Sequence, residues 1–377
     1  MTSKVDASER IPVNQPVVSE AAKQRVMQTL ASGWLSGAGP VVAEFEQAFA
    51  ACVGATHGVA TGSGTTALHL ALCAAGIAAG DEVIVPDFTI FATLAAVMYC
   101  GARPVCVDVD PRTFTIDPAA ARAAISARTR AIIAVHIYGH SADMNALREL
   151  ATDHQLILIE DAAQAHGARY RGRPCGGLGD VAAFSFYGNK LISTGEGGMV
   201  TTSNPQIAAR ARSLGDMAHR PGQRFCHDQL GYSYRMSSLQ AALGLGQLSG
   251  IEALIARKRW IAERYKRGLG SIPGLRLPHA QPGVFNVYWM VAIVVEDGFP
   301  LDRDQLRDAL ARDGIETRDF FQPCSQQPAY RERFGDCAES PVTADIARRG
   351  LYLPSGLALT AAQLDRVCAA IERLAGR

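Results

Sequence analysis

Short apolar runs alternate with longer segments of helical periodicity through roughly the first 200 residues of the chain. The apolar runs, which predict buried strands, cover residues 58–60, 83–85, 105–107, 131–135, 156–159, 181–184 and 199–202. The helical segments cover residues 65–76, 91–99, 117–126 and 143–154. Strands that are apolar on both faces and joined by helices form a mostly parallel sheet with a helical layer on each side. The pattern therefore predicts an α/β domain.

The pattern changes near residue 236. Residues 236–270 read as one long helical stretch, in which Gly244, Gly246 and Gly250 are weak points. Beyond Pro273 come a short strand at 289–295 and helices at 306–313 and 360–375, which are typical of a smaller α+β unit. We therefore predict two domains, residues 1–250, which include the N-terminal segment, and residues 251–377.

The composition of the chain argues against several classes of function. The 37 basic and 36 acidic residues nearly balance, and no long basic run is present, which argues against nucleic acid as the main partner. No apolar run approaches the roughly 18–20 residues that span a bilayer, and the polar N-terminus does not resemble a signal peptide. The nine cysteines are odd in number and scattered, which favours reduced thiols in a cytoplasm over disulfides or structural zinc. We expect no metal site.

Two residues at or shortly after the ends of predicted strands, Lys190 and Asp161, are candidates for catalysis. Lys190 closely follows the apolar run that ends near Ser185, and glycine-rich backbone comes next. A lysine in such a place can form an imine with a carbonyl compound, although a lysine taken alone is more often a surface residue. Asp161 ends another apolar strand, where ligands of parallel sheets bind. Its alternative role is the N-cap of a following helix. Together the two residues suggest pyridoxal phosphate, which needs a lysine and an acidic partner for its ring nitrogen.

A glycine-rich turn, Gly62-Ser63-Gly64-Thr65, follows the first apolar run and opens a helix. Backbone amides at such a helix start favour a phosphate group. The string also matches a dinucleotide-binding fingerprint, but Asp81 precedes a strand instead of ending one, so that interpretation is weak.

Six longer motifs resemble those of the DegT/DnrJ/StrS family of sugar-nucleotide aminotransferases, and the similarity extends from about residue 12 to residue 359. The motifs are Gly64-Thr65-Thr66-Ala67-Leu68-His69-Leu70, Pro86-Asp87-Phe88-Thr89, Val135-His136-Ile137-Tyr138-Gly139-His140, Glu160-Asp161-Ala162-Ala163-Gln164-Ala165-His166-Gly167, Phe184-Ser185-Phe186-Tyr187-Gly188-Asn189-Lys190 and Arg235-Met236-Ser237-Ser238-Leu239-Gln240-Ala241-Ala242. The resemblance implies the fold-type I architecture of pyridoxal phosphate enzymes, a large domain with a mostly parallel seven-stranded sheet and a smaller C-terminal α+β domain. It also implies a homodimer with shared active sites.

The resemblance assigns roles to particular residues. Lys190 would carry the cofactor and Asp161 would contact its ring nitrogen. The remaining cofactor contacts would be Ser63, Gly64, Thr65, Phe88 stacked on the ring, Gln164 on the ring hydroxyl, Ser185, and Ser233 of the partner subunit. Substrate contacts would be Trp34, Ser36, Arg220, Arg224 and Ser325. The chain departs from the family where Ser233 replaces asparagine, Ser325 replaces histidine and Asp319 replaces proline.

Segments 286–290, 314–318 and 353–356 most resemble members that aminate a GDP-linked sugar. They imply transfer of an amino group from L-glutamate to C4 of GDP-4-keto-6-deoxymannose, with formation of GDP-perosamine. Three alternatives stay open: a 3-amination of the mycosamine type, a pyridoxal phosphate- or pyridoxamine phosphate-dependent sugar dehydratase of the same fold, and a cofactor-bound sensor without catalysis. The dehydratase relatives carry histidine where Lys190 stands.

Overall fold

The computed structural model describes residues 10–337 and 339–377, without the side chain of Arg224. The helices are α1 (Glu20–Ser32), α2 (Pro40–Cys52), α3 (Gly64–Ala75), α4 (Ala92–Tyr99), α5 (Pro118–Ala123), α6 (Met144–Asp153), α7 (Pro205–Gly215), α8 (Ser238–Leu248), α9 (Ile251–Leu269), α10 (Arg303–Arg312), α11 (Pro328–Phe334), α12 (Pro341–Arg349) and α13 (Ala361–Leu374). The strands are β1 (His57–Thr61), β2 (Glu82–Pro86), β3 (Arg103–Val107), β4 (Thr129–Val135), β5 (Ile157–Asp161), β6 (Arg169–Tyr170), β7 (Arg173–Pro174), β8 (Val181–Ser185), β9 (Gly198–Thr202), β10 (His219–Arg220), β11 (Gln223–His227), β12 (Leu275–Arg276), β13 (Val284–Phe285), β14 (Val291–Val295), β15 (Arg318–Asp319) and β16 (Gly350–Leu353).

Seven strands form the main sheet in the order β1-β9-β8-β5-β4-β2-β3. Strand β9 runs antiparallel to both neighbours, and the other pairs are parallel, so the predicted mostly parallel sheet is confirmed. Because carboxyl ends of parallel strands meet at one edge, this topology brings Val135, Asp161 and Ser185 together at the ends of β4, β5 and β8. In the register of the sheet, Asp161 lies between Val135 and Ala183.

The prediction of one long helix over residues 236–270 is wrong. The amide of Gly250 bonds the carbonyl of Gln247 at 3.0 Å, which closes the last turn of α8. Gly250 then takes a non-helical conformation as the N-cap of α9. The two helices consequently meet at 68°.

A second, four-stranded antiparallel sheet forms in the order β12-β14-β16-β15. Its apolar cluster also contains Ile11, which pairs with Ile315 and exchanges backbone hydrogen bonds with residues 314 and 316. The described N-terminal residues therefore pack beside the C-terminal part of the chain.

Within the described ranges, no single helix has the length and apolar composition needed to cross a membrane, and only α8 and α9 counted together, despite their bend, meet both criteria.

Candidate active site

Lys190 lies in the loop that follows β8. Its amide bonds the carbonyl of Tyr187 at 2.8 Å, and the carbonyl of the preceding Asn189 accepts bonds from Asn14 Nδ2 at 2.9 Å and Trp289 Nε1 at 2.8 Å. The lysine Nζ lies 3.9 Å from the centroid of the Trp289 ring. Burial lowers the pKa of Lys190 to about 8, and the Asp161 carboxylate partly offsets this effect. The loop thus fixes an amine whose neutral, nucleophilic form is more populated near neutral pH than that of an ordinary lysine.

Asp161 is a buried carboxylate at the centre of the sheet edge. One oxygen accepts a bond from Thr93 Oγ1 at 2.9 Å and the other accepts the amide of Ala163 at 3.2 Å. Burial raises the pKa of Asp161, against the opposing effects of Thr93, Ala163 and Lys190. Because the chain continues in turns and no helix starts after Asp161, its alternative role as a helix N-cap is not supported.

The start of α3 forms a cradle for an anion. Ser63 and Thr66 bond each other's backbone amides in a capping box, which satisfies the amide of Thr66. The amides of Gly64 and Thr65 belong to the first turn and have no partner within the helix. A Cβ on Gly64 would lie 2.5 Å from Cβ of Ser185, so only glycine allows the two elements to approach this closely. The structure therefore brings Ser63, Gly64, Thr65 and Ser185 together, as predicted.

Gln164 is buried in the turn that follows Asp161. Its Oε1 accepts the amide of Tyr138 at 2.7 Å. This bond orients the side-chain amide, so that Nε2 is left as the donor, as a contact with the oxygen of a ring hydroxyl requires.

Phe88 requires a correction. Its ring has no exposed surface and is surrounded by the rings of Phe114, Tyr138, Phe320 and Phe321, with centroids 5.4–6.1 Å away. Edge-to-face packing of this kind is core structure and leaves no free face for stacking on a cofactor. Ile90, which is 46% exposed, is the large apolar side chain that this loop leaves open.

The predicted substrate residues are scattered. Trp34 is 55% exposed and Ser36 accepts a bond from Ser238 Oγ, so both lie beside the start of α8. Arg220 is exposed in the β10–β11 hairpin and pairs with Asp228. The side chain of Arg224 lies outside the described part of the structure.

Ser233 and Ser325 also have other partners. Ser233 is exposed and accepts a bond from Arg235 at 2.8 Å. Ser325 is buried, and both its amide and its hydroxyl donate to the carboxylate of Asp87 at 2.7 Å. Because the Ser325 hydroxyl proton is already bound to Asp87, a substrate could bind Ser325 only by donating a hydrogen bond to its hydroxyl oxygen. Ser325 therefore serves to join the C-terminal segment to the loop after β2.

Three residues of the site have no clear signal in the sequence. Trp289 covers the amine of Lys190, Thr93 binds Asp161, and Lys258 donates to the carbonyl of Trp289 at 2.8 Å. Each contact joins elements far apart in the chain. Thr93 alone has a weak signal, because a hydroxyl side chain at the second position of α4 can bind a carboxylate.

The residues present fit pyridoxal phosphate. A buried carboxylate, a nucleophilic amine and an anion cradle that a Cβ would fill occupy one edge of the sheet. Among the described residues, the buried Oδ1 of Asn189 and hydroxyl of Tyr138, on the loops that carry Lys190 and contact Gln164, have no hydrogen-bond partner. Unpaired buried polar atoms are rare, so one on Asn189, next to Lys190 in the chain, and one on Tyr138, whose amide Gln164 binds, indicate a site built for a polar ligand.

Comparisons with known proteins agree with this geometry. Residues 16–372 match the model of the DegT/DnrJ/EryC1/StrS aminotransferase family. The chain is 42% identical to a GDP-perosamine synthase of Caulobacter vibrioides over 97% of this chain and 98% of that protein. It is 39% identical to a GDP-perosamine synthase of Escherichia coli O157:H7 over 96% and 98%. The solved structure of DesV from S. venezuelae superposes with a TM-score of 0.90 at 38% identity, covering 98% of this chain and 99% of that one.

The chain belongs to the DegT/DnrJ/EryC1/StrS aminotransferase family. It is a pyridoxal phosphate-dependent aminotransferase, and the predictions of fold class, cofactor and reaction type are confirmed. The roles given to individual residues stay predictions.

Proposed function

We propose that this aminotransferase moves the amino group of L-glutamate to C4 of GDP-4-keto-6-deoxymannose and so forms GDP-perosamine. The observation that carries this proposal is the similarity, over nearly the full length of both chains, to GDP-perosamine synthases at 39–42% identity. The placement of Lys190 and Asp161 at one edge of the sheet supports it, since both are needed for amino transfer.

Pyridoxal phosphate, when bound here, supplies an electron sink and a carrier for the amino group. The amides at the start of α3 and the Ser185 hydroxyl bind its phosphate. Asp161 keeps the ring nitrogen protonated, and a cation held there would favour the charged form of a carboxylate whose pKa is raised by burial. Gln164 donates to the oxygen of the ring hydroxyl.

Lys190 has two tasks in this proposal. Its amine would hold the resting cofactor, and when free it would move the proton between the α-carbon of glutamate and C4′ of the cofactor. General acid–base groups work best when their pKa lies near the operating pH. The lowered pKa of Lys190, about 8, suits it to both directions of this transfer. Lys190 also disfavours a dehydratase, whose known members have histidine there.

A homodimer is part of the same proposal. The hairpin and the loop after it expose Phe225 by 81% and Leu230 by 90%. Large apolar side chains with so much exposed area on one segment favour a protein partner, and a second copy of this chain is the partner we propose. Ser233, exposed on the same segment, would then reach the phosphate site of the other subunit.

The proposal also includes a domain boundary and a cellular location. We place the domain division at residue 250, where α8 and α9 meet at an angle. A cytoplasmic location is supported by the nine cysteines, all of which are free thiols.

The sugar is tested by incubating purified protein with glutamate and a panel of keto-sugars linked to GDP or dTDP, with product analysis by mass spectrometry and NMR. We expect amination at C4 of GDP-4-keto-6-deoxymannose, and none with Lys190→Ala. Preference for a dTDP-sugar, or an amino group at C3, would contradict the proposed product. Loss of the sugar hydroxyl without nitrogen transfer would identify a dehydratase.

Shared active sites are tested by mixing Lys190→Ala subunits with Arg220→Ala subunits. A mixed dimer would hold one intact site if Arg220 acts across the interface, so the mixture should exceed the summed activity of the separate variants. Light scattering that shows a fully active monomer would refute the dimer.

A further inference from the structure

Three soft donor side chains converge between α3 and α4. His69 and Cys73 lie one turn apart on α3, and Cys100 is the C-terminal cap of α4. Residues at positions i and i+4 of a helix lie on the same face, and the packing of the two helices adds the third donor. None of the three takes part in the cofactor site described above.

The distances match those of a tetrahedral metal ion. The two Sγ atoms are 3.7 Å apart, and His69 Nε2 lies 3.3 Å from Cys73 Sγ. The three donor atoms all lie within 4.8 Å of one another. Zinc bonds of roughly 2.3 Å to sulfur and 2.0–2.1 Å to nitrogen place two sulfurs about 3.8 Å apart, and nitrogen and sulfur about 3.5 Å apart. The two thiols, and His69 with Cys73, therefore lie within about 0.2 Å of tetrahedral zinc spacing, and His69 Nε2 lies within 4.8 Å of Cys100 Sγ.

The second ring nitrogen of His69 has the partner that a metal ligand needs. Nδ1 lies 3.0 Å from the hydroxyl of Tyr234. A histidine whose other nitrogen donates to an oxygen presents a fixed lone pair to a metal. The hydroxyl of Tyr232 lies 3.8 Å from Cys73 Sγ and is a further oxygen close to the three donors. Both thiols are half-buried, which leaves a route of entry from solvent.

We propose that His69, Cys73 and Cys100 bind a zinc ion, with water or the hydroxyl of Tyr232 as the fourth ligand. Thiolate and imidazole are ligands that zinc prefers, and both thiols release their protons on binding. Ordinary core packing is the competing explanation, because cysteines are often buried as small apolar residues. Packing explains the contact between the two thiols. It does not explain why one ring nitrogen of His69 faces the hydroxyl of Tyr234 while the other faces Cys73 Sγ.

The site would be structural. The carbonyl of Tyr234 accepts the amide of Gly62 at 2.8 Å, next to the capping box at the start of α3. A metal on His69 would hold Tyr234 against α3 and so would fix one wall of the anion cradle. We therefore expect zinc to raise the melting temperature of the holoenzyme.

Cobalt substitution tests the site directly. Tag-free holoenzyme, reduced and treated with a chelator, is titrated anaerobically with Co²⁺ and then with Zn²⁺. We expect visible bands of tetrahedral cobalt at one equivalent per chain, in the red where the cofactor does not absorb, and their loss when zinc is added. Elemental analysis after dialysis against zinc should give one zinc per chain.

Variants separate the site from adventitious binding. Cys73→Ser and Cys100→Ser should each weaken cobalt binding at least tenfold, and Tyr234→Phe should weaken it about tenfold to a hundredfold, as loss of an outer partner does. Cys52→Ser, which removes another half-buried thiol, is the matched control and should bind as wild type. Circular dichroism verifies that each variant is folded.

Three outcomes would overturn the proposal. One is the absence of tetrahedral bands in wild type. Another is equal metal content in wild type and both Cys73→Ser and Cys100→Ser. The third is a stable bond between Cys73 and Cys100 in peptide maps of protein purified without reductant, together with no metal uptake after reduction. None of these readouts depends on which sugar the enzyme aminates.

Discussion

Two lysines, Lys190 and Lys258, meet the same tryptophan from different parts of the molecule. The amine of Lys190 lies on the face of the Trp289 ring, and that of Lys258 donates to the Trp289 carbonyl. Burial lowers the pKa of both, to about 8 for Lys190 and about 7 for Lys258. A lowered pKa therefore does not by itself identify a catalytic amine.

The two lysines differ in the groups that surround their amines. Lys258, in α9, is nearly inaccessible and is bound by the carbonyls of Trp289 and Ser355. Lys190 has a carboxylate nearby in Asp161 and lies at the sheet edge where Gly64 and Ser185 form the anion cradle. An amine becomes a catalyst when it is buried beside groups that bind its reaction partner, and a structural element when its own donors are all used.

The largest expected effect is on covalent attachment of the cofactor. Borohydride reduction of the loaded enzyme, followed by peptide mapping, should place the label on Lys190 alone. Lys190→Ala should lose the visible absorbance of attached cofactor and all measurable turnover, since no other lysine among the described residues faces the site. A label on Lys258 would show that Lys258, and not Lys190, is the lysine that binds the cofactor.

The second effect concerns the acid near Lys190. Asp161→Asn should remain folded, because the amide still fits between Thr93 and Ala163, but the rate should fall about 10²–10³-fold through loss of a charge aimed at the reacting group. Steady-state kinetics with glutamate measure this loss. Near-normal turnover would show that Asp161 does not serve the ring nitrogen.

Lys258→Met should affect stability and leave cofactor attachment intact. The change leaves two buried carbonyls without a donor, and at about 1–3 kcal/mol each the two together cost about 2–6 kcal/mol. Urea unfolding at pH 9 should show a loss in that range, and the reduced-cofactor label should stay on Lys190. Lys23→Met on the exposed face of α1 is the control and should change stability by less than about 0.5 kcal/mol.

The same variant gives a smaller effect that depends on pH. The pKa of Lys258 is about 7 in the folded protein and near 10.4 in an unfolded chain. Between these values the unfolded state binds more protons, so wild-type stability rises with pH. Below about pH 7 both states are protonated and the cost of a buried charge is fully present. The destabilisation by Lys258→Met should therefore be smaller at pH 6.5 than at pH 9; an equal loss at both would show that Lys258 titrates normally.

The smallest effect tests the shared tryptophan. The face of an aromatic ring favours an ammonium group by about 0.5–2 kcal/mol, so Trp289→Leu should lower the pKa of Lys190 further. The rate at which pyridoxal reacts with cofactor-free enzyme should then reach half its maximum at a lower pH than in wild type. An unchanged pH profile would mean that the ring does not contact the amine in solution.

Much of this site could be predicted from local sequence. Asp161 and Ser185 end apolar runs, and strand ends in a parallel sheet meet at one edge whatever the details of packing. Ser63 to Thr65 combine a helix start with glycine, which indicates an anion site without knowledge of the fold. Phe88 and Ser325 could not be judged in this way, because burial among four rings and pairing with Asp87 depend on which loops pack together.

The sequence by itself determined the alternation of strands and helices and the family, and it singled out Lys190 and Asp161 as the candidate amine and acid, since these depend on the period, type and order of residues. Tertiary structure decided what each side chain touches. The break at Gly250, the cover of Trp289 over Lys190 and the approach of Cys100 to His69 and Cys73 all arise from packing between segments distant in the chain. No local pattern encodes such contacts, because their geometry depends on the relative positions of whole elements.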